Sequence, residues 1–153
     1  NADISITFND KGYWSEVGRY SIGKFPSMSL SGINDESDER FKGTVLHEFG
    51  HALGLLHEHQ NPFFPYEWDE TFVIDFFKKE YNWSKEDTYD NIIYRYNFGD
   101  FNQEDATNFD SKSIMLYEIK KGFLLDKNLS FNENNVLSKT DLEIIQKVYN
   151  PVQ

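Results

Sequence analysis

His47-Glu48-Phe49-Gly50-His51-Ala52-Leu53-Gly54-Leu55-Leu56-His57-Glu58-His59 holds all four histidines of a 153-residue chain. The first three follow the pattern H-E-x-x-H-x-x-G-x-x-H. An α-helix turns about 100° and rises about 1.5 Å per residue, so His47 and His51 share a face, about 6 Å apart along the axis. Two neutral imidazoles at that spacing grip one zinc ion at roughly 2.0–2.1 Å each. Glu48 flanks the pair and is placed to meet a water on the metal. A continuous helix would carry His57 about 120° around the axis from His51, out of reach of the same ion. The chain must therefore turn back, and Gly54, which tolerates positive φ without Cβ strain, marks the turn. Three imidazoles and an open fourth position make a catalytic layout and not a closed structural one. The chemistry that follows is metal-assisted hydrolysis, with Glu48 as the general base that passes a proton on to the leaving amine. A bare H-E-x-x-H arises by chance. The glycine and third histidine at fixed spacing make the reading specific. Leu46, Phe49, Ala52 and Leu53 read as core residues that hold the helix rigid, and His59 as a loop histidine outside the ligand set.

The bulk of the chain narrows the classes further. At 153 residues it reads as one domain, 1–153, large enough to bury a core. The net charge of -11 argues against nucleic acid and anionic membranes as partners, since phosphate binding needs a basic face. A mean hydropathy of -0.66, with no apolar run near the roughly 18 residues of a bilayer span, argues against membrane insertion. The absence of cysteine excludes disulfide scaffolds and thiolate metal sites.

Along the chain, Ile4, Ile6 and Phe8 alternate with polar residues, which predicts a half-buried strand. Met28 and Leu30 alternate with Ser27, Ser29 and Ser31, a short Ser-rich strand of the kind found at an exposed sheet edge. A polar loop, 32–37, leads to Ser37 or Asp38 as the cap of the histidine helix. Phe41, Val45, Leu46, Phe49, Ala52 and Leu53 recur at helical spacing up to Gly54, which stops the helix. Trp68-Asp69-Glu70 opens a second helical pattern through Phe72, Val73, Phe76 and Phe77. Ser84-Lys85-Glu86-Asp87 is a capping box for a third helix reaching about Tyr94. Residues 98–109 are polar and turn-like. Ser138-Lys139-Thr140-Asp141 is another capping box, opening a last helix with Leu142, Ile145, Val148 and Tyr149 on one face.

The span from His47 to His57 resembles the metzincin clan of zinc endopeptidases. Ser113-Ile114-Met115-Leu116-Tyr117 looks like the methionine-containing turn that accompanies the clan's zinc site. Glu58 after the third histidine, in the run His57-Glu58-His59, and the Ser-Ile-Met-x-Tyr form of the turn resemble the astacin family. The resemblance implies an α+β fold: a small twisted sheet with the active-site helix above, and a mostly irregular or helical lower part with the methionine turn and a C-terminal helix. It implies one catalytic zinc ion, held by His47, His51 and His57. Tyr117 would be a further ligand in the resting enzyme that swings away to hydrogen-bond the transition-state oxyanion. Met115 would form an apolar floor under the metal, and Glu58 would help anchor the structure beneath the site.

For substrate, the resemblance implies a protein or peptide, with the Ser27–Ser31 strand as the cleft's upper edge, pairing with it through Ser29 and its neighbours. Lys120 and Lys121 would supply a basic primed-side pocket for an acidic residue after the scissile bond. A propeptide or inhibitor outside this chain, and secretion or translocation to a host in place of cytoplasmic residence, follow from the same likeness. Animal astacins carry disulfides, so the lack of cysteine points to a bacterial relative. Metzincins place a strand and a long helix before the strand at Ile4–Phe8; here that portion is expected to be missing, cleaved away or contributed by another chain. Two alternatives stand beside the endopeptidase. One is a non-catalytic binding module on the same scaffold, against which the intact Glu48 speaks. The other is a zinc hydrolase acting on a non-protein amide.

Overall fold

A computed structural model of the chain describes residues 2–31, 39–97 and 107–149. The polypeptide divides into two compact units. The first comprises Asn1–Leu56, Lys112–Met115 and Asn134–Gln153. The second comprises His57–Ser111 and Leu116–Glu133.

The first unit is built on a three-stranded sheet of β1 (Ile6–Thr7), β2 (Tyr13–Ser15) and β3 (Met28–Leu30), in the order β1-β3-β2. β3 pairs parallel with β1 and antiparallel with β2. The Ser-rich strand is therefore the middle strand and not an edge, which corrects the expectation drawn from its composition. Its serines are buried because their hydroxyls find partners inside: Ser29 Oγ donates to the Gly12 carbonyl at 2.9 Å and bonds Ser31 Oγ at 3.0 Å. Ile4 is half-buried against the core, whereas Ile6 and Phe8 are exposed, so only one position of the alternating pattern reaches the core.

Helix α1 (Glu39–Ala52) carries the histidine stretch. The capping residues expected at Ser37 and Asp38 lie outside the described residues. Val45, Phe49 and Ala52 meet Met28, Leu30 and Ile4. One residue further round, Leu46 joins a second cluster with Leu55, Ile114, Met115, Leu137, Ile144 and Ile145. That cluster includes residues of the last helix (Lys139–Tyr149, here α4), whose start carries the reciprocal cap expected at Ser138 and Asp141.

The second unit has an aromatic core. Phe64, Trp68, Phe123, Leu116, Ile119 and Leu124 are buried there, with Phe76, Phe77, Trp83, Phe109 and Phe131 packed against them. Helix α2 (Glu70–Tyr81) starts where Asp69 accepts the Phe72 N–H, and stops at Asn82, which is left-handed at φ 56°. The Ser84–Asp87 capping box opens α3 (Lys85–Thr88), and a π-helical turn, Tyr89–Ile93, continues it. Of residues 98–109, those from 98 to 106 lie outside the described residues.

Candidate active site

The helix stop is built as the sequence requires. Gly54 N–H donates to the His51 carbonyl at 2.8 Å, Leu55 N–H donates to the Gly50 carbonyl at 2.9 Å, and Gly54 sits at φ 96°. This is the double bond of a glycine-terminated helix, and it reverses the chain within two residues. The Leu55 carbonyl then accepts His51 Nδ1–H at 2.9 Å. His47, His51 and His57 offer ring nitrogens that all lie within 4.8 Å of one another.

Each ring is oriented from behind. His47 Nδ1–H donates to the Ile114 carbonyl at 2.9 Å. His57 Nδ1 lies 3.3 Å from Gln60 Oε1, and the Gln60 amide N–H is itself taken by the Asp90 carbonyl at 2.8 Å, which fixes which end of the amide faces the ring. With an oxygen acceptor at each Nδ1, the three rings carry their lone pairs on Nε2, the tautomer that binds a metal. Burial lowers the pKa of His47, against the opposing influence of the Ile114 carbonyl and the Asp141 charge. Burial and neighbouring His47 push His51 down to about 4, against the Leu55 carbonyl. Both are thus held as neutral imidazoles, the form a cation needs.

Glu48 is 5 % exposed, and burial pushes its carboxyl up to about 7. Its Oε2 is buried with no hydrogen-bond partner among the described residues. An acceptor left unsatisfied in the interior is costly, and a water on a bound metal would answer that need. Three Nε2 donors with no thiolate and one orphaned carboxylate oxygen fit a single zinc ion.

Met115 is 1 % exposed and lies against α1 at Gly50, where an added Cβ would meet its Sδ at 2.6 Å. Tyr117 is partly exposed, its ring 4.3 Å from that of His57 and 4.8 Å from that of His59. Glu58 Oε1 accepts the Asp110 N–H at 2.7 Å and the Asn61 amide N–H at 3.0 Å, joining the segment after His57 to the approach of the methionine turn. His59 is fully buried, stacked on His57 and Tyr117 with Nε2 at 3.0 Å from the Asn91 carbonyl. That corrects its reading as a loop histidine: three neighbouring rings and a carbonyl hold it inside. Ser29, in the middle strand with no exposed surface, offers no edge to a substrate backbone, a second correction. Lys120 is ion-paired with Glu118 at 2.6 Å, and Lys121 is exposed.

Sequence reasoning alone does not single out Gly50 or Gln60. A glycine in mid-helix costs roughly 1 kcal/mol against alanine, so Gly50 does carry a signal of close packing. Gln60 carries none, because its value lies in Asp90, thirty residues away.

The family model for astacin, a peptidase family, matches residues 1–150. The chain belongs to the astacin family. It is 28 % identical over 155 residues to the zinc metalloproteinase dpy-31 of Teladorsagia circumcincta, covering 97 % of this chain and 24 % of the relative. The chain thus spans about a quarter of the length of that curated relative. Among solved structures, myroilysin superposes with a TM-score of 0.88 at 34 % identity, covering 99 % of this chain and 74 % of myroilysin. The hatching enzyme zinc-protease HCE-1 of Oryzias latipes shares the fold at a TM-score of 0.61 and 23 % identity, covering 96 % of this chain and 68 % of its own. The α+β sheet-and-helix arrangement is the astacin arrangement. Among the described residues no helix is long and apolar enough to cross a membrane.

Proposed function

We propose that this astacin-family chain is a zinc-dependent endopeptidase that uses His47, His51 and His57 as metal ligands and Glu48 as general base. The observation that carries the reading is the convergence of three ring nitrogens within 4.8 Å, each ring held at Nδ1 by an oxygen acceptor. Zinc, when bound, supplies Lewis acidity that brings a coordinated water toward a pKa of about 7 and polarises a scissile carbonyl. Glu48 takes the water's proton and later delivers it to the leaving amine. Tyr117, beside His57, serves as a further ligand at rest and donates its phenolic hydrogen to the oxyanion as the carbonyl is attacked. Met115 is the floor of the site through its contact with Gly50, Gly54 sets the chain reversal, and Glu58 braces the approach to the turn.

The substrate is a protein or peptide. Lys121 is the better candidate for reading an acidic residue after the cut, because Glu118 already compensates Lys120. The family resemblance supports secretion or translocation as the route to substrate, regulation by a propeptide or inhibitor, and the two compact units as parts of one catalytic domain.

Incubating the protein with a diverse peptide library, with and without a zinc chelator, tests the reading. Chelator-sensitive cuts that vanish in Glu48→Ala, with zinc still bound, are the expected result. A Glu48→Ala protein that cleaves at the full rate removes Glu48 from the role of base, and absence of any chelator-sensitive cut favours the binding module.

A further inference from the structure

Asp141 is 3 % exposed, and nothing in the chemistry above uses it. Its first task is local. It stands three residues after Ser138 in the capping box of α4, where its N–H donates to Ser138 Oγ at 3.0 Å and its Oδ2 accepts the Ser138 N–H at 2.8 Å. The capping box of α3 is an internal control for what that task requires. There Asp87 stays exposed, and its carboxylate takes the Ser84 N–H and Ser84 hydroxyl. Capping alone does not bury a carboxylate.

Asp141 is buried because it has a second set of partners. Oδ1 accepts the Ser113 hydroxyl at 2.7 Å, and Oδ2 accepts the Ile114 N–H at 2.9 Å. Ser113 Oγ in turn accepts the Met115 N–H at 3.0 Å. The residue whose N–H is held by Asp141 is the one whose carbonyl receives His47 Nδ1–H. A continuous path therefore runs from the start of α4, through the Ile114 backbone, to the ring of a proposed metal ligand. A carbonyl can fix a ligand's tautomer and tilt only as well as its own position is fixed.

We infer that Asp141 is a positioning residue for the metal: it holds the Ser113–Met115 backbone so that the Ile114 carbonyl orients His47 toward the ion. This rests on the reading of His47 as a zinc ligand. Asp141 does not touch substrate or metal, so its signature is metal affinity and not turnover alone.

The test compares zinc dissociation constants, by competition with a chromogenic chelator, for the wild type, Asp141→Asn, Ser138→Ala and His47→Ala, together with thermal unfolding of each. An asparagine cannot accept from the backbone N–H groups and the Ser113 hydroxyl at once, so Asp141→Asn is expected to bind zinc about 10- to 100-fold more weakly. Ser138→Ala removes the hydroxyl that accepts the Asp141 N–H but leaves the carboxylate its bonds to the residue-138 N–H, Ser113 and Ile114. It should lose thermal stability while keeping zinc affinity within about twofold of wild type. Equal zinc affinity in Asp141→Asn and wild type reduces Asp141 to a helix cap and overturns the inference. If Asp141→Asn does not fold, Ser113→Ala takes its place, with several-fold weaker zinc binding expected and unchanged binding overturning the inference. Zinc binding that survives His47→Ala undiminished overturns the metal-site reading itself, and the inference with it.

Discussion

Glu48 is a carboxyl whose burial has moved its titration from 4.5 to about 7. Between those values the metal-free folded state holds a proton that the unfolded chain has released. Its contribution to stability is therefore complete below the unfolded value of 4.5 and is lost as pH rises through about 7. His51 acts in the opposite sense: its folded value of about 4 lies below 6.5, so its contribution is present above 6.5 and is lost as pH falls toward 4. Replacing Glu48 separates the two. In chelator-treated protein, Glu48→Gln is expected to exceed wild type in stability by roughly 3 kcal/mol at about pH 8.5, and to show no such gain near pH 4. Urea unfolding at both pH values measures it, and a gain that ignores pH would locate the effect outside the carboxyl's ionisation. Tyr117 makes a different prediction. If its hydroxyl serves the oxyanion, Tyr117→Phe lowers kcat by about 10²-fold and leaves KM within about twofold; steady-state kinetics on one peptide decide it, an unchanged kcat leaving Tyr117 a packing role beside His57 and His59.

At the scale of elements, α1 works because a helix presents successive residues about 100° apart. Val45, Phe49 and Ala52 face the sheet, Leu46 and Gly50 face Met115 and its cluster, and His47 and His51 face the proposed metal site. Three stripes on one rigid rod explain how a small sheet and a methionine together hold two ligands in line. The prediction belongs to the middle stripe. On a free helix Gly50→Ala would add roughly 1 kcal/mol of stability, but here the new methyl meets Met115 Sδ at 2.6 Å. Net destabilisation of about 1–2 kcal/mol is expected from overpacking. Gly50→Ala combined with Met115→Ala should recover part of the loss, a coupling that a double-mutant cycle from urea midpoints reads directly. Purely additive effects would mean that the two side chains do not compete for space. The same helix shows what a sequence makes legible. Its period, its stop at Gly54 and the return of His57 follow from neighbours within ten residues, and the reciprocal caps at Ser84 and Ser138 are equally local. What a sequence hides is set by distant partners. Ser29 has the composition of an edge strand, yet β1 and β2 flank it from remote positions in the chain. His59 reads as a loop residue until Asn91 and Trp68 close over it. Asp141 reads as a cap, and its second set of partners lies 27 and 28 residues back.

For the molecule as a whole, the metal is expected to be part of folding as well as of chemistry. The chain has no cysteine, so no disulfide limits its unfolded state. Its net charge of -11 adds self-repulsion to the compact form. In the folded chain the half-buried His47 and the buried His51 are held as neutral bases, and Glu48 keeps a buried oxygen without a hydrogen-bond partner among the described residues. The unfolded chain has no such preformed cage. Zinc bound by the native state alone stabilises it by RT ln(1 + [Zn]/Kd), about 2.7 kcal/mol when free zinc exceeds Kd 100-fold. For a chain of this length each kcal/mol moves Tm by roughly 2–4 °C, so chelation should lower Tm by about 5–10 °C. His57→Ala supplies the control, because it removes one ligand and the ring that Gln60 orients while leaving α1 intact. Its Tm should start near that of the chelated wild type and respond little to chelator. Differential scanning calorimetry at fixed zinc reads both. An equal chelator-induced drop in wild type and His57→Ala would show that His57 takes no part in the stabilising site, and that the chain reversal at Gly54 serves packing and not coordination.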